Sequence, residues 1–173
     1  AFMQAKQMAS EPPVAGIACT AAIATNRTRR GSDRAHLAVQ TENRCAVTTV
    51  TFERGSRVTQ DAQCRDLILQ ITGDAADCGS SGLLEWTDAE PAWRELLCGE
   101  RLHTADANPQ LIFSGSFNPI HAGHLQMAVV AERVTGEQPT LEISAFNVDK
   151  PPIDYIEFAA RDGQPRHELP LTF

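Results

Sequence analysis

The sequence lacks the features by which a chain crosses a membrane, carries a structural zinc ion or binds nucleic acid over a broad surface. Its 173 residues include no apolar run of about 18 residues or more, which a transmembrane helix requires. The five cysteines form no CxxC pair, and their odd number argues against a disulfide framework. Lysine and arginine number 15 against 22 aspartates and glutamates, and this net charge of −7 argues against a general nucleic-acid binder.

The two ends of the sequence also lack familiar features. No methionine stands at position 1, and no basic segment followed by an apolar segment opens the chain. The residues after Lys150 show little apolar periodicity. We therefore expect a cytoplasmic protein whose cysteines are small buried side chains in a reducing compartment. We also expect the sequence to be a fragment or an incompletely read chain.

What the sequence does contain is typical of a soluble globular protein, with 42% hydrophobic and 21% charged residues. Its length accommodates one large domain or two small ones. Residues 1–9 have a helical composition, and Pro12 ends whatever helix they form. The small apolar residues 14–25 predict a buried strand. The β-branched residues in 36–41 and 46–52, on either side of a short turn, predict a hairpin or two adjacent strands.

Two amphipathic segments follow the predicted hairpin. Between Thr59 and Gly73, apolar residues recur at helical spacing, which predicts a helix with Thr59 as its N-cap and Gly73 as its C-terminal stop. Residues 73–82 are rich in glycine and serine and predict a loop near a module boundary. Residues 88–99 predict a short helix that bridges two parts of the chain.

The last third of the chain has an α/β pattern. A strand is predicted at 110–115, followed by a loop, a helix at 121–134 and a second strand at 141–148. This order is typical of a doubly wound sheet, in which ligands bind beyond the carboxyl ends of the strands.

The segment GSFNPIHAGH, residues 115–124, carries the clearest chemical signal. His121 and His124 are three residues apart at the start of the predicted helix, so both imidazoles project from one face. They stand beside the unpaired N–H groups of the first helical turn, which favour an anion. The alternatives are a histidine pair satisfied within the fold and an ordinary turn at Asn118-Pro119.

This segment resembles the nucleotidyltransferase superfamily with the (H/T)xGH signature. Within it, the segment resembles the nicotinate- or nicotinamide-mononucleotide adenylyltransferases, and residues 146–152 are similar to the corresponding region of some members. The resemblance implies attack of a mononucleotide phosphate on the α-phosphate of ATP, with Mg²⁺ present and pyrophosphate leaving. It implies that His121 and His124 hold the triphosphate, and that Gly123 lets the nucleotide approach the helix.

The resemblance also assigns nucleotide binding to residues of the loop and of the following strand end. These residues are Gly115, Ser116, Phe117, Asn118 and Lys150. A solvated surface lysine is the alternative for Lys150. The family completes its site with a Ser/Thr-x-x-Arg phosphate motif, but the residues after Lys150 contain Arg161 and Arg166 without that motif. The resemblance therefore covers residues 108–155, about half of a mononucleotide-binding domain.

Residues 14–72 resemble the C-terminal domain of the competence/damage-inducible CinA proteins, the nicotinamide-nucleotide amidase family. The likeness is carried by a small-residue strand, the polar loop NRTRRGSDR, a strand ending in AVQT, another strand and a helix. The Ser-x-Thr-Gly-Gly element with the family's nucleophile is missing, so no catalytic residue is assigned. The loop arginines at 27, 29, 30 and 34 could bind a phosphate or form a solvated loop. We expect His36 at a strand edge.

The sequence thus predicts an α/β protein with two modules. A partial CinA-C-like α/β module spans 1–75, a linker and bridging helix span 76–107, and an incomplete doubly wound, Rossmann-like nucleotidyltransferase module spans 108–173. Both resemblances indicate pyridine-nucleotide (NAD) metabolism. The predicted activity is adenylyl transfer from ATP to nicotinate or nicotinamide mononucleotide, with Mg²⁺ as the metal that accompanies ATP.

Two alternatives remain for the function. One is a non-catalytic nucleotide-binding or assembly module, and the other is an amidase-like hydrolase whose nucleophile lies outside these residues. ATP and a mononucleotide are the expected partners. A homo-oligomer is expected by resemblance, and neither nucleic acid nor a membrane is expected to bind.

Overall fold

The chain divides into two units, each with its own sheet. The computed structural model describes residues 1–9, 11–27, 30–106 and 108–173. Contacts between residues separate Ala1–Asp88 from Ala89–Phe173. The segment 76–107, predicted as linker and bridging helix, is therefore divided between the units, with its helix in the second. Across the described ranges, no helix has the length and apolar character needed to span a membrane.

The first unit contains an antiparallel sheet of four strands in the order β1-β2-β3-β4. Its helices and strands are α1 (Phe2–Met8), β1 (Gly16–Ala22), β2 (Arg34–Gln40), β3 (Arg44–Thr51), α2 (Arg57–Ala75) and β4 (Thr87–Asp88). The predicted hairpin is confirmed, because β2 pairs with β3 from Arg34 opposite Thr51 to Gln40 opposite Cys45. His36, which we expected at a strand edge, is the third residue of β2, a strand that pairs with β1 on one side and with β3 on the other.

The core of the first unit lies between the sheet and α2. Alternate residues of β2 are buried, since successive side chains of a strand point to opposite faces. Ala35 and Leu37 of β2 pack in one cluster with Phe52 and with Cys64 and Ile71 of α2. Burial raises the pKa of the Cys64 thiol, with smaller contributions from Cys19 and Asp61, so this thiol stays protonated at neutral pH.

The five cysteines, all of them among the described residues, form no disulfide bond, but they are not all buried. Cys45 and Cys64 are buried, as expected, whereas Cys19 is half-buried and Cys78 and Cys98 are exposed. The expectation that all are small core residues therefore holds for two of them.

The helix predicted at 59–73 is present, but both of its predicted ends are wrong. Ser56 is the N-cap, and its Oγ accepts a hydrogen bond of 3.1 Å from the backbone N–H of Thr59. The helix runs through Gly73 to Ala75, and a Cβ on Gly73 would meet no atom within 4 Å. Asp74 is buried and accepts a hydrogen bond of 2.8 Å from the backbone N–H of Ser81, so tertiary contacts hold the last turn in place.

The loop after α2 packs against the hairpin through Arg44. Its guanidinium lies 4.1 Å from the centre of the Trp86 ring, and it pairs with the carboxylate of Asp77. The same side chain donates a hydrogen bond of 3.3 Å to the backbone carbonyl of Asp74. One half-buried cation thereby fixes the path of the chain between α2 and β4.

The second unit contains a parallel sheet of three strands in the order β5-β6-β7. Its helices and strands are α3 (Pro91–Cys98), β5 (Ile112–Ser114), α4 (Ala122–Thr135), β6 (Thr140–Glu142), α5 (Tyr155–Asp162) and β7 (Leu171–Thr172). Parallel neighbours joined by a helix form the βαβ unit that the sequence predicts. The α/β class is confirmed, and this unit is consistent with a Rossmann-like nucleotidyltransferase fold.

The structure differs from the prediction in the last part of the second unit. The strand predicted at 141–148 ends at Glu142, and the last part of the chain forms α5 despite its weak apolar periodicity. Asp154 caps α5 by accepting a hydrogen bond of 2.9 Å from the backbone N–H of Glu157. Tyr155 and Phe158 of α5 are buried.

Aromatic stacking holds α5 in the second unit. The Phe158 ring lies 5.3 Å from the Trp93 ring of α3 and 4.6 Å from the Phe173 ring, measured between centroids. Both α3 and the chain end therefore pack on one phenylalanine.

Alanine substitutions at Gly16 and Gly73 should change the free energy of unfolding in opposite directions. Gly16 is buried, and a Cβ there would overlap the backbone of Phe2, so we expect Gly16→Ala to lower the free energy of unfolding by about 1–3 kcal/mol. Gly73→Ala, in open space within α2, should raise that free energy by about 0.5–1 kcal/mol. Urea denaturation of both variants checks this, and a destabilised Gly73→Ala would contradict the helix that continues to Ala75.

Candidate functional site

The loop between β5 and α4 is shaped by Gly115 and Phe117. The Phe117 ring lies so close over Gly115 that a Cβ there would stand 2.8 Å from the ring. Phe117 is 2% exposed and has a φ of 40°, in the left-handed region that non-glycine residues rarely adopt. The backbone therefore turns sharply at this residue so that the ring points into the unit.

The Phe117 ring in turn supports His124. Their centroids are 5.1 Å apart in a T-shaped contact, and Phe113 of β5 makes a T-shaped contact of 5.4 Å with Phe117. The His121 ring stacks on the His124 ring at 3.6 Å, with 23° between the planes. The two predicted histidines are thus brought together at the start of α4.

Hydrogen bonding determines which nitrogen of His124 is available. The backbone N–H of His121, the N-cap of α4, donates a hydrogen bond of 3.2 Å to Nδ1 of His124. Since Nδ1 accepts, the proton of the neutral ring resides on Nε2, which can donate to a ligand. A Cβ on Gly123 would stand 3.2 Å from Nδ1 and Cε1 of His121, so a glycine leaves room for that ring.

The start of α4 carries no negative charge. It has no acidic residue in its first turn, and its positive end lies beside two imidazoles. His121 is exposed and His124 half-buried, so a ligand can reach this end of the helix. The arrangement is suited to an anionic group such as a phosphate.

Two residues that the sequence did not single out as site residues hold the loop from the side of α5. Arg161 donates a hydrogen bond of 2.6 Å to the carbonyl of Ser116 and pairs with Glu157 at 2.5 Å. Its side chain is only 10% exposed. Gln164 donates to the carbonyl of Phe117 at 2.9 Å and accepts from the N–H of Ile120 at 2.6 Å.

A cavity of about 470 Å³ lies beyond the carboxyl ends of β5 and β6. This is where ligands bind in open α/β sheets. Its lining includes Gly115, Ser116, Glu142, Lys150, Glu157 and Arg161. The structure therefore brings Lys150 to the same cavity as the first two loop residues.

The other predicted residues stand apart from this cavity. His121, His124, Phe117, Asn118 and Gly123 are not among its lining residues. Asn118 is exposed on the loop. Two groups of residues result, one around the cavity and one around the histidine stack, and the loop from Gly115 to His121 joins them.

Gln164 tests whether α5 positions the loop. Gln164→Ala removes both loop hydrogen bonds, and we expect the free energy of unfolding to fall by about 1–2 kcal/mol. Amide hydrogen exchange in residues 117–120 should become faster. Gln126→Ala, at an exposed position of α4, is the matched control and should change the stability by less than about 0.5 kcal/mol. Equal stability of the two variants would contradict this role.

Comparison with known proteins finds a family whose matched residues include this site. Residues 112–159 match the family described as Cytidylyltransferase-like. The matched segment runs from β5 into α5 and includes the loop, both histidines and Lys150. It does not reach residues 14–72, so it gives no support to the CinA-like likeness. No curated protein and no solved structure matches the chain significantly. Residues 112–159 are thus similar to the cytidylyltransferase-like family, which is consistent with the nucleotidyltransferase superfamily.

Proposed function

We propose that the second unit transfers a nucleotidyl group from a nucleoside triphosphate to an acceptor that carries a phosphate. The observation that carries the proposal is the stack of His121 on His124 at the positive end of α4, inside the matched segment. Parallel strands, a phosphate-type loop and paired imidazole donors together favour phosphoryl chemistry over a purely structural pair.

The finer proposal is adenylyl transfer from ATP to nicotinate or nicotinamide mononucleotide. It rests on the likeness of GSFNPIHAGH to the mononucleotide adenylyltransferases. The matched family's description names a cytidylyl group, so CTP must be compared with ATP in any assay.

A homo-oligomer stays a prediction.

The reaction would proceed by direct displacement. An oxygen of the acceptor phosphate attacks the α-phosphorus of the triphosphate. The bond from that phosphorus to the bridging oxygen breaks, and pyrophosphate leaves with the electron pair. His121 and His124 would donate hydrogen bonds to phosphoryl oxygens as their negative charge increases. Lys150 and Arg161, which line the cavity, would hold the acceptor phosphate. The rate enhancement would come from positioning and charge stabilisation.

Mg²⁺ would enter with the triphosphate. Among the described residues, no group of three or more His, Cys, Asp or Glu side chains is placed to hold a metal ion. Mg²⁺ commonly keeps several waters and binds substrate phosphates with one or two carboxylates. Glu142 and Glu157 line the cavity and are the carboxylates suited to that role. Bound there, the ion would neutralise charge on the phosphates.

The histidines provide the direct test. We expect His121→Ala and His124→Ala each to lower the rate of pyrophosphate release by about 100-fold or more, because each removes a donor to the transition state. The assay supplies ATP or CTP with nicotinamide mononucleotide and Mg²⁺, and chelation of Mg²⁺ should abolish release. Gln126→Ala is the control and should keep the full rate. Circular dichroism checks that each variant is folded.

Other outcomes would favour the other candidates. Triphosphate binding without pyrophosphate release by the unaltered chain would indicate a nucleotide-binding module. Release of ammonia from nicotinamide mononucleotide would indicate an amidase-like hydrolase. Unchanged pyrophosphate release in both histidine variants would overturn the proposed site.

A further inference from the structure

The first unit has a cavity of its own, of about 610 Å³, that the proposed function does not use. It lies between the loop after β1 and the loop that joins β3 to α2. Its lining includes Arg27, Arg30, Asp33, Phe52, Arg54 and Gly55. Of the other arginines noted in the sequence, Arg34 lies on β2 and does not line the cavity, and Arg29 lies outside the described residues.

One buried amide holds the walls of this cavity together. Gln60 of α2 is 0% exposed, and its Oε1 accepts a hydrogen bond of 2.6 Å from the backbone N–H of Ala24. Its Nε2 donates to the Asp33 carboxylate at 3.0 Å and to the carbonyl of Glu53 at 2.9 Å. A single side chain therefore fixes three segments of chain, and the cavity is formed before any ligand binds.

The charge of the lining is positive. Arg27, Arg30 and Arg54 come from two separate loops, and within the described part of the chain none of them forms an ion pair. Asp33 is the one acidic residue among the described residues of the lining, and its carboxylate accepts a hydrogen bond from Gln60. Helix α2 begins at Arg57, just after this lining, with no acidic residue in its first turn.

We propose that this cavity binds a small-molecule diphosphate. Three guanidinium groups against one carboxylate favour a ligand with two or more negative charges. Guanidinium groups bind phosphate oxygens in pairs, which adds geometric selectivity to charge. The volume lies within the range of about 300–1,000 Å³ that is typical of ligand sites. Free pyrophosphate and a nucleoside diphosphate share this chemistry, and the experiment separates them.

The test measures binding of pyrophosphate and of ADP to the full chain by isothermal titration calorimetry. We expect Arg54→Ala and Arg27→Ala each to weaken pyrophosphate binding by at least about tenfold. Arg65→Ala is the matched control, because Arg65 is an exposed arginine of the same unit that pairs with Asp66 outside the cavity. The affinity of this variant for pyrophosphate should change by less than about twofold. Tighter binding of ADP would identify a nucleoside diphosphate, and tighter binding of pyrophosphate would identify the free anion.

A second measurement needs no variant. Phenylglyoxal modifies exposed arginines, and peptide mass spectrometry locates the modified ones. Pyrophosphate should protect Arg27, Arg30 and Arg54 in the unaltered protein and leave Arg65 reactive. Unprotected cavity arginines would overturn the proposal even if a variant fails to fold.

Three further results would also overturn it. Orthophosphate binding as tightly as pyrophosphate would remove the diphosphate preference. Displacement of pyrophosphate by a lower concentration of a single-stranded oligonucleotide would indicate a nucleic-acid surface. Binding that survives Arg54→Ala but is lost in Lys150→Ala would place the diphosphate in the second unit. That last result would leave the proposed transferase intact, so the two proposals fail separately.

Discussion

The position of the Phe117 ring over Gly115 is the contact on which the site of the second unit depends. It turns the chain inward after β5 and presents the ring edge to His124. Nδ1 of His124 then accepts a hydrogen bond from the backbone N–H of His121, and the two imidazoles stack. Each step requires the one before it, because a side chain at position 115 would displace the Phe117 ring that supports His124. Gly115 therefore contributes to the site by leaving room for the Phe117 ring, a role that needs no bound ligand.

The site is held from two directions. The aromatic contacts act from β5 and α4, whereas Arg161 and Gln164 act from α5 on the carbonyls of Ser116 and Phe117. Hydrogen bonds to backbone carbonyls fix a loop irrespective of its side chains, so they leave the hydroxyl of Ser116 and the amide of Asn118 available for a ligand. Arg161 also lines the cavity, which couples the loop to the place where an acceptor would lie.

Local patterns accounted for most of the fold and for part of the site. The β-branched runs predicted the hairpin, and the GSFNPIHAGH segment predicted both the histidine pair and its place at a helix start. The predicted ends of α2 were wrong because the helix is capped by Ser56 and because contacts of Asp74 stabilise its continuation beyond Gly73. The motif Asp154-x-x-Glu157 could have indicated α5, since it places a cap before two buried aromatics. No local signal could have indicated Gln164, whose partners lie 44 and 47 residues away.

The two tryptophans of the chain are divided between its two units, and their surroundings differ. Trp86 lies beneath the Arg44 guanidinium and is half-buried, whereas Trp93 is buried and stacked on Phe158. Each indole is therefore an intrinsic optical reporter for one sheet. With one indole replaced by phenylalanine, the emission of the other follows a single unit, so the order in which the halves lose structure becomes visible without any added label.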